Sequence, residues 1–121
     1  MGWFSLFFQK RAKLQPEAEF VLSMSESEIV LVDPKGETHT LAMGNLGTVV
    51  VETNDTGPWG MDVRWVLLDL EGKLGVAYPQ GATGEQQVMD WLMTLPGFDS
   101  AAMTDAMRCT DNATFPVWKN A

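Results

Sequence analysis

Hydrophobic and polar residues alternate with a period of two along much of residues 18–78, which is the pattern of β-strands with two different faces. The alternation, together with continuous apolar and β-branched runs at residues 29–32 and 48–53, predicts strands at residues 18–24, 29–32, 37–42, 48–53, 61–70 and 74–78. Turn-forming residues separate them, most clearly Asp-Pro-Lys-Gly at residues 33–36 and Glu-Gly at residues 71–72.

The strand at residues 61–70 is predicted to lie at the centre of the sheet. Val63, Trp65 and Leu67 fall on one face of this strand, while Val66, Leu68 and Leu70 fall on the other. Because both faces are mostly apolar, the strand is expected to be central or to lie beneath another element.

The period changes to that of a helix from residue 83 onwards. Thr83 and Gln86 have the spacing of a capping box, which predicts a helix over residues 84–95. A second helix is predicted to follow, with Asp99 or Ser100 as its N-cap residue. Strands joined by short connections and followed by two helices predict an α+β fold with an antiparallel sheet.

A length of 121 residues is typical of one domain, and 45% hydrophobic with 20% charged residues is typical of a globular chain. We therefore predict a single α+β domain over residues 16–121, preceded by an apolar and basic segment at residues 1–15. The aromatic and basic residues that characterise this segment are Trp3, Phe4, Phe7, Phe8, Lys10 and Arg11.

This N-terminal segment has two interpretations. On a helix, its rings and bases could together contact an anionic membrane surface. Its rings could instead pack on the domain itself or on a second subunit, which we favour because so short a helix binds membranes weakly without a lipid anchor. The basic residues follow the apolar ones, unlike those of a secretory signal, so we predict a cytoplasmic protein.

The formal net charge is −8, and every carboxylate lies after residue 13. Such an acidic chain repels phosphate backbones, which argues against nucleic acid as a partner and favours a basic protein or peptide. Cys109 and His39 are each the only residue of their type, so no intramolecular disulfide and no thiolate metal cluster is expected, and we predict no cofactor. A catalytic pair with Cys109 as nucleophile and His39 as base is disfavoured. His39 is predicted to lie on the solvent side of its strand, and Cys109 is predicted to act as a small hydrophobic residue.

The loop leading into the central strand is the predicted binding site, with Asp55, Pro58, Trp59 and Asp62 as its candidate residues. Trp59 in a Gly-Pro turn is an aromatic anchor of the kind enriched at interfaces, although it could also fold inward over Trp65. Three carboxylates flank the strand, at Asp55, Asp62 and Asp69, and would form a metal or acid–base site if the loops converged.

The order of elements resembles the pleckstrin-homology-like architecture, in which a strongly bent antiparallel sheet is closed by a C-terminal amphipathic helix. The resemblance implies a bent sheet of about six or seven strands followed by two C-terminal helices, with residues 84–95 as the closing helix. The residues Thr-Asn-Asp-Thr-Gly-Pro at 53–58, with Asp62, Trp65 and Leu-Pro-Gly-Phe-Asp at 95–99, also resemble small bacterial proteins of unassigned function.

A phosphoinositide site of that architecture would need Lys and Arg between the first two strands, where this chain has Ser-Glu-Ser-Glu at residues 25–28. The resemblance therefore implies peptide or protein binding without phosphoinositide. Our leading hypothesis is a non-enzymatic binding or regulatory module, for example an immunity-type protein that neutralises a basic toxin, or a homo-oligomer. The alternatives are a small metal- or carboxylate-dependent enzyme and a peripheral membrane protein held by the N-terminal segment.

Overall fold

The computed structural model describes residues 16–57, 60–109 and 111–120, with the backbone alone for residues 16–17, 55–57 and 60–62. The predicted N-terminal segment at residues 1–15 lies outside this part of the chain. Within it, two short 3-10 helices accompany the strands and α-helices, at Pro16–Glu19 and Met43–Asn45.

The described strands form two antiparallel sheets. The three-stranded sheet contains β1 (Val21–Met24), β2 (Glu28–Val32) and β3 (Thr38–Ala42), in that spatial order. The four-stranded sheet has the spatial order β6-β5-β4-β7, with β4 at Leu46–Gly57, β5 at Gly60–Asp69, β6 at Leu74–Pro79 and β7 at Ala113–Lys119. The helices α1 (Glu85–Leu92) and α2 (Ser100–Arg108) lie between β6 and β7 in the chain.

An α+β fold with antiparallel strands and two helices is confirmed, but the arrangement differs from the prediction in two respects. The strands divide between two sheets, because the 3-10 turn at Met43–Asn45 separates β3 from β4. The helices do not end the chain, since β7 follows them and pairs with β4. Pro116 obscured this strand, because proline is tolerated in a sheet only at an edge or a bulge, and it lies here on an edge strand beside a bulge.

The predicted central position of β5 is confirmed, since β5 lies between β4 and β6. Paired residues form a row across the whole sheet in the order Phe115, Val51, Trp65 and Tyr78. Trp65 is fully buried, and its indole Nε1 donates a hydrogen bond to Oε1 of Gln80 at 2.9 Å. The largest side chain of the core thus has its apolar surface buried and its single polar atom hydrogen-bonded.

Two hairpins of the fold turn in the same way, at Asp33 between β2 and β3 and at Asp69 between β5 and β6. Oδ1 of each aspartate accepts hydrogen bonds from the amides two and four residues further on, at 2.9 and 2.9 Å for Asp33 and at 2.8 and 2.9 Å for Asp69. Gly36 and Gly72 take the left-handed conformation that each turn requires, with φ of 87° and 82°. Both aspartates therefore have a structural role in an Asp-x-x-Gly turn.

The predicted capping box at the start of α1 is wrong. Gly84, with φ of 83°, is the N-cap residue and provides no side chain, whereas the hydroxyl of Thr83 donates to the carbonyl oxygen of Ala18 at 2.8 Å. The backbone of Thr83 also pairs with Val21 of β1, because its N–H donates to the carbonyl oxygen of Phe20 and its carbonyl oxygen accepts from the N–H of Leu22. Tertiary pairing with β1 thus outweighs the local capping pattern.

At α2 the predicted cap is confirmed, since the side chain of Asp99 accepts a hydrogen bond from the amide of Ala102 at 2.9 Å. Neither helix of the described chain combines the length and the apolar composition needed to cross a bilayer.

We expect Gly84→Ala to lower the free energy of unfolding by roughly 3 kcal/mol, because it adds left-handed strain and an overlap between the new Cβ and the carbonyl oxygen of Leu22. Gly72→Ala is the matched control: it has the same sign of φ but open space around the new Cβ, so about 1–2 kcal/mol is expected. Urea unfolding measures both. Equal losses in the two variants would contradict the packing role of Gly84.

For Tyr78, in contrast to Gly84, we expect a substitution that does not lower the free energy of unfolding. Its side chain is 1% exposed, its hydroxyl has no hydrogen-bond partner among the described residues, and burial raises the pKa of that hydroxyl. We expect Tyr78→Phe to leave the free energy of unfolding unchanged or raise it by about 1 kcal/mol, because an unpaired buried hydroxyl is removed. Gln80→Leu should instead lower it by about 1–3 kcal/mol, because Trp65 Nε1 loses its acceptor. A clear loss of stability in Tyr78→Phe measured by urea unfolding would show that the hydroxyl is satisfied.

Candidate functional site

Two depressions on the surface of the described residues bring polar side chains together. The larger, which we call the groove, has a volume of about 450 Å³ and lies where β4, β5 and β7 meet at one end of the four-stranded sheet. It is lined by Glu52, Thr53, Asn54, Arg64, Asn112, Ala113 and Thr114.

An exposed ion pair forms one wall of the groove. Glu52 and Arg64 face each other across β4 and β5, and Arg64 Nη2 lies 2.9 Å from Glu52 Oε1. The two side chains are 42% and 58% exposed. Ion pairs this accessible to water contribute only about 0–1 kcal/mol to stability, so both charges can turn towards a ligand at little cost.

Thr53, another lining residue of the groove, joins β4 to the chain before β7. Its side chain is buried, and its hydroxyl donates to the carbonyl oxygen of Asp111 at 2.7 Å, with Cys109 Sγ 3.5 Å away. This hydrogen bond ties the connection between α2 and β7 to β4. Cys109 thus lies beside Thr53, whereas His39 bonds Asp33 in the other sheet, so the structure does not form the disfavoured nucleophile and base pair.

The predicted binding residues lie in sequence directly beyond the groove. Asp55 and Asp62 belong to β4 and β5, where the backbone of Asp62 pairs with Asn54 of the groove, but their side chains lie outside the described part. Pro58 and Trp59 lie outside the described residues altogether, as do the six aromatic and basic residues of the N-terminal segment, Trp3, Phe4, Phe7, Phe8, Lys10 and Arg11.

The three carboxylates that were candidates for a shared metal or acid–base site do not converge. Asp62 lies near the start of β5 and Asp69 is its last residue. At about 3.3 Å per residue, the two backbones are roughly 23 Å apart. Asp69 instead accepts the two amide hydrogen bonds of its own turn. The convergence that a shared three-carboxylate site would require is therefore not found.

The second depression, which we call the cleft, has a volume of about 180 Å³ and lies between the three-stranded sheet and β6. It is lined by Phe20, Leu31, Asp33, His39, Leu74, Gly75 and Ala77. Most of these side chains are apolar, and the polar pair Asp33 and His39 forms part of the lining.

His39 Nε2 lies 3.0 Å from Asp33 Oδ2, with 41% of the His39 side chain and 17% of the Asp33 side chain exposed. The hydrogen bond from His39 holds the pKa of the Asp33 carboxyl below its usual value, against a partial desolvation, and the amides of Glu37 and Lys35 act in the same direction. His39 lies on the same side of β3 as buried Leu41. Its predicted position on the solvent side is therefore wrong.

One ligand atom from each of Asp33, Glu37 and His39 lies within 4.8 Å of the others, a spacing that could hold a divalent cation. Sequence analysis missed this group. A usable signal is present, because the turn at residues 33–36 folds β3 back on β2 and brings the start of β3 beside Asp33. Both carboxylate oxygens of Asp33 already have partners within the fold, since Oδ1 accepts hydrogen bonds from two amides and Oδ2 pairs with His39.

Comparison of the chain with protein-family models, with curated proteins and with solved structures finds no match.

Replacing His39 with Phe tests the origin of the low pKa at Asp33. The folded-state pKa lies below the ordinary value of 3.8, so ionised Asp33 stabilises the fold above that pH, and this contribution is lost as the pH falls through the folded-state value. We expect His39→Phe to raise the pKa of Asp33 and to reduce the loss of stability in acid. Carboxyl ¹³C NMR titration and urea unfolding at pH 5 and pH 3 measure the two effects. An unchanged Asp33 pKa would assign the shift to the turn amides instead.

Proposed function

We propose that this protein is a non-enzymatic binding module that holds a protein or peptide partner at the groove. The observation that carries the proposal is the groove itself, an open volume of about 450 Å³ with an exposed Glu52–Arg64 pair, at the end of the sheet where the predicted binding loop begins. Opposite charges side by side suit a polar peptide, which offers donors and acceptors of both kinds.

A basic partner fits the charge of the chain best. With a net charge of −8, the protein attracts positively charged surfaces and speeds their association. Glu52 is then the groove residue that meets the partner's base, while Arg64 is released to a carboxylate or a backbone carbonyl. An immunity-type role against a basic toxin is one version of this proposal, and a homo-oligomer is another.

Asp55, Pro58, Trp59 and Asp62 extend the proposed contact surface beyond the groove. Aromatic anchors beside polar rims dominate the energy of many interfaces, and Trp59 is the residue proposed for that role. The proposal includes a cytoplasmic location and needs no cofactor, because recognition by charge and shape uses side chains alone. It excludes nucleic acid and phosphoinositide, whose phosphates this acidic chain would repel.

We also propose a distant pleckstrin-homology-like relationship. The division of the strands into sheets of three and four, with an amphipathic α1 packed against the core, supports it. The strand β7 after the helices departs from a closing C-terminal helix. Peptide binding by such a fold agrees with the acidic connection between β1 and β2, which contains Glu26.

The double variant Glu52→Ala/Arg64→Ala tests the proposal in affinity capture from the source cells with quantitative mass spectrometry. We expect capture of the partner to fall at least about tenfold, because the charged wall of the groove is lost. The control is Glu71→Ala/Lys73→Ala, which removes an equally simple exposed ion pair in the turn between β5 and β6. It should capture the partner as the unmodified chain does.

Equal capture by both double variants would reject the groove as the binding site. Absence of any specific partner, together with a size-exclusion profile that does not respond to salt, would reject the binding module itself.

A further inference from the structure

We infer that the cleft beside Asp33 is a pocket for an arginine side chain presented by a partner. This inference does not depend on the groove. The two sites lie on different elements, since the cleft is formed by the three-stranded sheet and β6, whereas the groove is formed by β4, β5 and β7.

The size and walls of the cleft fit one long side chain. Its volume of about 180 Å³ is below the roughly 300–1,000 Å³ of pockets that take drug-sized ligands. Phe20, Leu31 and Ala77 provide apolar walls, and Leu74, at 64% exposed, is the most exposed large hydrophobic residue of the described chain. A ligand with an apolar stem would remove this surface from water.

The charge of the cleft selects a cation. Asp33 lies in the lining, and exposed Glu37 places a carboxylate oxygen within 4.8 Å of the ligand atoms of Asp33 and His39. Among the described residues no ion pair joins a lysine or arginine to Asp33 or Glu37, and Lys73, the neighbour of Leu74, pairs with Glu71. With two carboxylates and one histidine, the site has a net negative charge whether the imidazole is neutral or protonated.

Arginine combines the two properties that the cleft requires. Its alkyl stem covers apolar surface while its charged head stays near water. Its planar guanidinium offers several N–H donors in a fixed arrangement, which can bind Asp33 Oδ2 and the Glu37 carboxylate together. Asp33 Oδ1 is not needed for this contact, because it already accepts the two amides of the turn.

The experiment uses the full chain and the peptide acetyl-Gly-Arg-Gly-amide, with the neutral citrulline peptide of the same shape as the ligand control. Amide ¹⁵N NMR titration should give saturable shifts for residues of the cleft, including Phe20, His39 and Ala77. The citrulline peptide should give no saturable shifts at these positions.

Asp33→Asn and Asp69→Asn form the matched pair of protein variants. Each removes one negative charge from an Asp-x-x-Gly turn and keeps an oxygen that can accept the two amides. Asp33→Asn should weaken arginine binding at least about fivefold, because the guanidinium loses a charge-assisted hydrogen bond to a mostly buried carboxylate, and Asp69→Asn should not weaken it. If Asp33→Asn fails to fold, Glu37→Gln replaces it, because only the backbone of Glu37 serves the turn.

Equal binding of the citrulline peptide, an equal loss in Asp69→Asn, or shifts confined to the groove would each overturn the inference. Titration with Zn²⁺ or Mg²⁺ alone that moves the cleft amides, while the arginine peptide does not, would also overturn it in favour of a metal site. Glu52→Ala/Arg64→Ala should bind the arginine peptide normally, so failure of the groove and failure of the cleft are distinguishable.

Discussion

Burial of Trp65 in the middle of the four-stranded sheet is the constraint on which the rest of the structure depends. Its paired neighbours Val51 and Tyr78 are also buried, and Phe115 extends the row to β7. A slip of β5 by one residue would exchange Trp65 with Arg64 and place a charge in the core. The row therefore fixes the register of three strands and the place where the chain must return after its helices.

Both candidate sites follow from this arrangement. The groove exists because β7 pairs with β4, and Thr53 then bonds the carbonyl oxygen of Asp111 just before β7. The cleft exists because the first sheet approaches the edge of β6 closely. At Gly75 an added Cβ would lie 2.9 Å from Leu41 Cδ1, so the absence of a side chain there lets Leu41 pack against β6.

Local patterns were sufficient for most of the fold. Alternating or continuous apolar runs predicted β1 to β6, and Asp99 predicted the cap of α2, because these features depend on neighbours in sequence. The remaining features depend on distant partners. Thr83 has the spacing of a helix cap but pairs with β1, and Pro116 has the chemistry of a strand breaker but is accommodated at an edge bulge.

The two aspartate turns show why the candidate site was harder to predict than the fold. Asp33 and Asp69 have the same turn motif and nearly identical hydrogen bonds, so no local rule separates them. The difference comes from outside the turn: His39 lies across the hairpin from Leu31 and bonds Asp33, and Phe20 and β6 supply apolar walls. A turn residue becomes a candidate binding residue when a second sheet packs beside it. That packing is set by the whole core, so the site could be found only after the fold was known.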